Sequence, residues 1–217
     1  MTTPLRRRLL VLGLTALLAA SGCSFLRPEP ERAKFYTLAA TMPSAAGQAS
    51  TMPAIVLGVG PVSLPPYLDR DQIVRRVDET RVELLEYERW AEPLEASTHR
   101  VLAVNLSRAL GTEQIVMYPW PLNRPVDWAV AVTVTHFEPV ASGGAHLVAR
   151  WNVRAGTTER PAVTRDSVIT VPASAATVEA SVDAMNQALG TLAEEIAAAV
   201  RQVRATAEPP AAPPRQR

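Results

Sequence analysis

The residue with the most clearly defined chemistry is Cys23, the single cysteine of the 217-residue chain. It follows the small residues Ala20, Ser21 and Gly22, which let a chain lie extended in a peptidase cleft. A thiol in this setting can take a diacylglyceryl group, and the amine freed by cleavage can take a further acyl chain. With no second cysteine, an intramolecular disulfide and a zinc site built from thiolates are both excluded. We therefore predict covalent lipid on Cys23 and no other cofactor.

The residues before Cys23 have the layout of an export signal. Three arginines at 6–8 precede an uncharged apolar run at 9–20, which is short of the ~20 residues that a permanent membrane helix needs. The run and Cys23 together resemble the lipobox of bacterial lipoproteins, with Ala20 where Leu is usual. Two alternatives stay open: Cys23 as an ordinary residue beside a conventional cleavage site, and an uncleaved anchor.

The residue after the cysteine bears on sorting. Asp in that place retains enterobacterial lipoproteins in the inner membrane, and here it is Ser24. We therefore predict a lipid anchor in the periplasmic face of the outer membrane, with the inner membrane less favoured. Two or more acyl chains anchor stably, at about 0.8 kcal/mol per buried CH₂.

Composition sets the boundaries of the mature chain. We predict a signal peptide at 1–22, a lipidated tether at 23–33, one domain at 34–204 and a disordered Pro- and Ala-rich tail at 205–217. Without the three signal arginines, 19 Lys and Arg stand against 21 Asp and Glu. This balance leaves no basic surplus to neutralise phosphates, so nucleic-acid binding is excluded as a partner class.

Other residues with catalytic or metal-binding potential are sparse. His99 is expected on the polar side of a helix. His136 and His146 flank one turn and could face each other, with Glu138 nearby as a third metal ligand; solvated surface histidines are the favoured alternative. No Gly-x-Ser-x-Gly or Ser-x-x-Lys occurs, and no His-x-x-x-His or Glu-x-x-His pair falls on a predicted helix. We therefore predict no catalytic residues, no metal site and no enzyme activity.

Hydrophobic periodicity predicts a layered α/β (α+β) domain, with a mixed sheet of about seven strands and two main helices. The apolar strand that contains Gly58 and Gly60 is expected to be buried on both faces, with its glycines admitting a close neighbour. The last helix, from Ser174 or Thr177 to Val203, carries a heptad seam. The seam suits a helix packed on a sheet and also a coiled coil, which leaves self-association to a homo-oligomer open. The strands are predicted at 34–38, 55–62, 72–77, 81–87, 114–118, 128–138, 145–154 and 165–171, and the first helix at 93–110.

Several of these segments together resemble a known family, the ABC-type transport auxiliary lipoproteins. The resemblance covers nearly the whole mature chain except the tail and the loop at 39–53. The carrying segments are Phe35-Tyr36-Thr37-Leu38, the run from Gly58 to Arg70 with Gln72-Ile73-Val74, Arg89-Trp90-Ala91-Glu92-Pro93-Leu94, and Tyr118-Pro119-Trp120.

The resemblance implies a fold similar to the TolB N-terminal domain and a non-catalytic periplasmic accessory subunit. Such lipoproteins work with MCE-domain periplasmic proteins and an associated inner-membrane transporter, as in Pqi-type lipid transport. The family defines no catalytic residues. A lipid-binding or Tol-like envelope scaffold without a transporter partner is the alternative function.

Two segments are candidate partner contacts. In the first, Pro65 and Pro66 stiffen the loop while Tyr67 and Leu68 supply apolar area. In the second, Arg89-Trp90 offers residue types that dominate interface energetics. For each there is an alternative: Tyr67 and Leu68 as a plug at the sheet edge, and Trp90 as a core residue beneath the helix start.

Overall fold

A computed structural model of the chain describes residues 32–43, 55–121, 124–156, 158 and 160–207. The predicted signal peptide, Cys23 and all but the last two residues of the predicted tether lie outside these residues. So do the loop at 44–54 and the chain from 208 onward.

The described residues form eight strands, two α-helices and one 3₁₀ turn. The strands are β1 (Lys34–Tyr36), β2 (Leu57–Ser63), β3 (Gln72–Arg76), β4 (Val82–Trp90), β5 (Ile115–Met117), β6 (Trp128–Pro139), β7 (Ala145–Ala155) and β8 (Val163–Val171). The helices are α1 (Leu94–Leu110) and α2 (Val178–Ala207), and the 3₁₀ turn is Pro66–Leu68.

The larger sheet has five strands in the order β5-β2-β6-β7-β8. Strand β2 runs parallel to both of its neighbours, whereas β6, β7 and β8 pair antiparallel. Parallel strands are commonly covered on both faces. Accordingly, the apolar residues 57–60 of β2 are all buried, as predicted.

The two glycines of β2 admit close neighbours, which confirms the prediction for this strand. A Cβ at Gly58 would lie 3.0 Å from the Trp120 ring. At Gly60, where φ is +113°, a Cβ would lie 2.7 Å from the Cβ of Tyr118 and 3.0 Å from Nε2 of His99. Helix α1 can therefore approach β2 through the space that the missing side chains leave.

The smaller sheet has three strands in the order β1-β4-β3, with β1 parallel and β3 antiparallel to β4. Strands β3 and β4, predicted at 72–77 and 81–87, pair as a hairpin. Its register shifts between the Gln72–Arg89 and Ile73–Leu85 pairs, so the ladder is irregular there.

Helix α2 packs against β6, β7 and β8 and against α1. Its inward seam therefore faces a sheet and a neighbouring helix of the same chain. Thr177 caps the start of α2 through a 3.2 Å bond from the backbone N–H of Ala180 to its Oγ1. Gly111, at φ 64°, ends α1 in the left-handed conformation that glycine favours.

The end of the last helix differs from the sequence-based expectation. Helix α2 ends at Ala207, so residues 205–207 are helical and not part of a disordered tail. Alanine is the strongest helix former, and two of these three residues are alanine.

The layered α+β class with two main helices is confirmed. The strands are divided between two sheets, and among the described residues a single bridge between Arg76 and Val140 links them. Within the described residues, neither helix combines the length and hydrophobicity that crossing a bilayer requires.

The burial of the α2 seam gives a stability prediction. The side chain of Leu189 is fully buried, so we expect Leu189→Ala to lower the free energy of unfolding by about 2–5 kcal/mol. Chemical denaturation monitored by circular dichroism measures this. The exposed neighbour Glu194 provides the control, because Glu194→Ala on the same helix should leave the midpoint nearly unchanged. Equal effects at the two positions would contradict the packing of the seam.

Candidate functional site

The proline loop, residues 64–69, connects β2 to β3 and is held rigidly at two points. Pro65 is extended, and the N–H of Leu68 donates to the carbonyl of Pro65 at 3.0 Å, which closes the 3₁₀ turn. Leu68 is 2% exposed and packs in the core. The hydroxyl of Tyr67 donates to the carboxylate of Glu138 at 2.9 Å. The exposed apex of the loop therefore consists of Pro66 and Asp69.

Glu138, at the end of β6, is a fully buried carboxylate with four donors around it. Its Oε1 accepts from Nε of Arg76 at 2.5 Å and from Nδ1 of His136 at 3.1 Å. Its Oε2 accepts from Tyr67 and, at 2.6 Å, from the N–H of Phe137. A buried charge is tolerated when it is paired and hydrogen-bonded in this way. The cluster joins the larger sheet, the smaller sheet and the proline loop.

The cluster also perturbs the protonation of its members. Burial raises the pKa of the Tyr67 phenol to about 12, and the negative charge of Glu138 acts in the same direction. Burial works against the charge of Arg76, but hydrogen bonds to Glu138 and Tyr67 raise its pKa overall. At neutral pH the phenol is therefore a donor and the guanidinium a cation, and Glu138 accepts from both.

A cleft of about 450 Å³ lies between the proline loop and the first turns of α1. The N–H of Leu64 donates to Oε2 of Glu95 at 3.2 Å, which fastens the loop to the helix start. His99 extends to β2, where its Nε2 lies 2.8 Å from the carbonyl of Val59. His99 is thus half-buried against β2 rather than on the polar side of its helix. The lining residues are Val62, Leu64, Pro66, Leu68, Asp69, Pro93, Glu95, Ala96 and His99.

The cleft has acidic side chains at its mouth and few groups suited to catalysis. Asp69, Glu95 and Ala96 are all exposed and line the cleft. Exposed Tyr118 is nearby, because its Cβ and Nε2 of His99 both lie close to Gly60. An open cleft with an acidic rim, apolar walls and an adjacent aromatic suits the binding of a polypeptide segment.

Backbone hydrogen bonds link segments that carry the family resemblance. Strand β1 pairs with β4, and the N–H of Ala91 donates to the carbonyl of Tyr36 at 2.9 Å. The N–H of Trp90 donates to Asp71 at 2.7 Å, immediately after the proline loop. The N–H of Tyr118 donates to Val59 at 2.8 Å. Segments far apart in sequence are therefore joined directly to one another.

The structure distinguishes among the candidate contact residues. Cys23 lies outside the described residues. Pro66 is exposed, Pro65 and Tyr67 are half-buried, and Leu68 is in the core. Leu68 is therefore the plug that the alternative described, and it supplies no free apolar area.

The second predicted segment divides in the same way. Trp90 is 5% exposed and belongs to the core, which is the alternative that the sequence left open. Arg89, on the opposite face of β4, is half-buried, and its Nε has no hydrogen-bond partner among the described residues. Of this pair, only Arg89 faces away from the core.

The two hairpin histidines do face each other, with ring centroids 5.8 Å apart. His136 bonds to Glu138, and Nδ1 of His146 lies 3.0 Å from Oγ1 of Thr170. Burial, followed by the proximity of His136, lowers the pKa of His146. Over the described part of the chain, no group of three or more His, Cys, Asp or Glu side chains is arranged to hold a metal ion.

Sequence reasoning did not identify the Arg76–Glu138 pair or the roles of Glu95 and His99. Arg76 and Glu138 stand 62 positions apart. Nothing local distinguishes either from a surface charge. Glu95 and His99 share one face of a helix at a spacing of four, which is a weak signal for a joint role.

The fold and this surface define a layered α+β domain whose binding features are a rigid loop and an open cleft. The family model for the ABC-type transport auxiliary lipoprotein component matches residues 36–197. The chain belongs to that family. Its members are lipoproteins of the cell envelope that act as auxiliary components of transport systems.

Solved structures support the fold. The Xanthomonas campestris protein XCC0632, assigned to the DUF330 family, is similar with a TM-score of 0.67 at 16% identity, covering 81% of this chain and 100% of that one. An uncharacterised protein is similar with a TM-score of 0.62 at 20% identity, covering 77% of this chain and 98% of that one. No curated protein matches the chain.

The buried carboxylate gives a prediction for the site. Glu138→Ala would leave the guanidinium of Arg76, whose side chain is 16% exposed, without its counter-charge. We expect the free energy of unfolding to fall by about 3–5 kcal/mol, as it does when one partner of a buried pair is removed. Urea denaturation measures the loss.

The same protein contains a matched control for that variant. Arg150 and Asp166 form an ion pair at 2.7 Å whose side chains are 68% and 59% exposed. Asp166→Ala should leave stability nearly unchanged, because solvent screens such a pair. If the two variants unfold at the same urea concentration, Glu138 does not hold the two sheets and the loop together.

Proposed function

We propose that this protein is a non-catalytic accessory subunit, lipid-anchored through Cys23 in the periplasmic face of the outer membrane. In this role it docks an MCE-domain protein of a Pqi-like intermembrane lipid transport system. Family membership supports the auxiliary role in transport. The observation that carries the docking role is that two of the segments that carry the resemblance, the run from Gly58 to Arg70 and the one that ends at Pro93-Leu94, line one cleft beside a rigid loop.

Rigidity is the first physical argument for docking at this cleft. Binding loses free energy when a loop must be ordered. Here the proline loop is already ordered by buried Leu68 and by the bond from Tyr67 to Glu138. A partner that contacts Pro66 therefore meets a preformed surface.

Charge is the second argument. The exposed carboxylates of Asp69 and Glu95 stand at the mouth of the cleft. They complement a basic segment, and opposite charges across an interface guide association and fix register. We therefore expect the docked segment of the MCE-domain protein to present Lys or Arg beside apolar side chains.

Filling the cleft tests the docking site. Ala96 is exposed, lines the cleft and lies in the first turns of α1, so Ala96→Trp blocks the space without removing a contact. We expect capture of the MCE-domain protein by the immobilised full-length lipoprotein to weaken at least tenfold, or about 1.4 kcal/mol. Surface plasmon resonance with the purified partner measures this.

Exposed Ala198 of α2 provides the control for a bulky side chain, because it is not among the residues that line the cleft. Ala198→Trp should bind as the wild type does, and both variants should keep the wild-type melting temperature. Undiminished capture by a folded Ala96→Trp protein rejects docking at the cleft. Neighbouring genes for MCE and permease proteins in the source genome would support the choice of partner.

The anchor is tested separately by intact-mass spectrometry of protein purified from its native host. We expect the mass of the chain from Cys23 onward plus a diacylglyceryl and an N-linked acyl group. Cys23→Ser should lose both groups and leave the membrane fraction, because the acyl chains supply the anchoring free energy. An unmodified N-terminal cysteine, or a leader still attached, would contradict the proposal.

A further inference from the structure

The smaller sheet carries most of the exposed large hydrophobic side chains of the described residues. Seven such side chains are exposed in all, and four of them lie on β1 and β4. These four are Phe35 at 57%, Val82 at 37%, Leu84 at 47% and Tyr87 at 53%. Scattered exposed apolar residues need no explanation, but a cluster on one face marks an interaction surface.

Strand register places these side chains on the same side. Phe35 lies opposite Arg89 across β1 and β4, and Arg89 lies opposite Gln72 across β4 and β3. Residues paired across neighbouring strands point to the same face, as do residues two apart along a strand. Val74, two residues beyond Gln72, pairs with Leu84. Phe35, Arg89 and Leu84 therefore face the same way, away from core residue Trp90. The exposed part of this face lies on β1 and β4, because Val74 on β3 is only 3% exposed.

One cation, Arg89, lies on this face of β4, and the exposed carboxylate of Glu86 is on the same strand. Arg89 lies between the apolar side chains, with its Nε buried and unpartnered. Over the described residues, no carboxylate is within ion-pair distance of it. A guanidinium without an internal counter-charge can pair with a phosphate, for which it is the preferred protein cation. Tyrosine and phenylalanine beside it are side chains that suit the boundary between headgroups and acyl chains.

Chain length brings a phospholipid surface within reach of this face. Ten residues separate Cys23 from Lys34, the first residue of β1. Fully extended, the path from Cys23 to Phe35 spans at most about 40 Å. Strand β1 is thus the first element after the tether, and it carries Phe35, the most exposed of the four side chains.

We propose that the outer face of the smaller sheet, formed by Phe35, Val82, Leu84, Tyr87 and Arg89, rests on the phospholipid surface that holds the anchor. This inference depends on the proposed lipidation of Cys23. Contact at this face orients the domain on the membrane. The tether then limits the distance between the domain and the membrane, and the sheet limits the rotation of the domain.

Single-cysteine labelling of the lipidated full-length protein tests the proposal. In that protein the sulfur of Cys23 is a thioether and does not react with maleimides. The environment-sensitive dye NBD is attached to a new cysteine in each of three variants. Two of them, Phe35→Cys and Tyr87→Cys, place it on the proposed face, and Val168→Cys is the matched control. Val168 is 70% exposed on β8 of the other sheet, so it presents the dye on a different surface. The proteins are reconstituted in phosphatidylethanolamine–phosphatidylglycerol vesicles with and without brominated phospholipid.

We expect brominated lipid to remove at least half of the NBD emission at positions 35 and 87 and to leave the emission at 168 unchanged. A further Arg89→Gln substitution should reduce the quenching at 35, and more so in vesicles that contain phosphatidylglycerol. Emission at 35 and 87 that is as insensitive as at 168, in protein that stays with the vesicles, overturns the proposal and leaves the anchor intact.

Two other outcomes also overturn it. Protein that does not float with the vesicles shows that the anchor itself is missing, and membrane contact at the sheet fails with it. A blue shift at 35 and 87 that grows with protein concentration in detergent, without vesicles, assigns the face to a second copy of the chain.

Discussion

The architecture depends on one buried charge, the carboxylate of Glu138. It lies at the end of a strand of the larger sheet and accepts from a guanidinium at the end of the smaller sheet and from a phenol in the proline loop. A carboxylate without water around it is stable only while these donors stay in place. The two sheets share little backbone pairing, so this cluster and the common core beneath it set their relative position.

Which faces of each strand are buried follows from whether the strand is parallel or antiparallel to its neighbours. Strand β2 lies between two parallel neighbours and is buried throughout residues 57–60, so it needs small side chains where α1 and Trp120 approach. The antiparallel strands β6 to β8 are covered on one face by α2, and their other face carries polar side chains such as the Arg150–Asp166 pair. The first turn of α2 also meets the smaller sheet, where the hydroxyl of Tyr36 donates to Glu179 at 3.1 Å.

An auxiliary protein of a transport system needs surfaces more than catalytic groups, and the described part of this chain offers two of different character. The cleft beside the proline loop is rimmed by carboxylates and has a rigid wall. The outer face of the smaller sheet is apolar around an arginine. These surfaces suit different occupants, because their charges are opposite in sign and only one has a concave shape. A domain that holds a partner at one surface and a membrane at another can act as a spacer of defined orientation.

Local pattern in the sequence was enough to predict the order of the elements, the two helices and the glycines of β2, because periodicity and turn residues act over a few positions. It also predicts the leader and the lipidation of Cys23, which depend on short linear motifs, and these stay predictions. Residue type alone could not decide whether Leu68 and Trp90 face solvent or core, since apolar side chains serve both roles. Tertiary structure decided that both are buried, that Arg76 meets Glu138 and that distant segments enclose one cleft, because those contacts join residues that no local pattern relates.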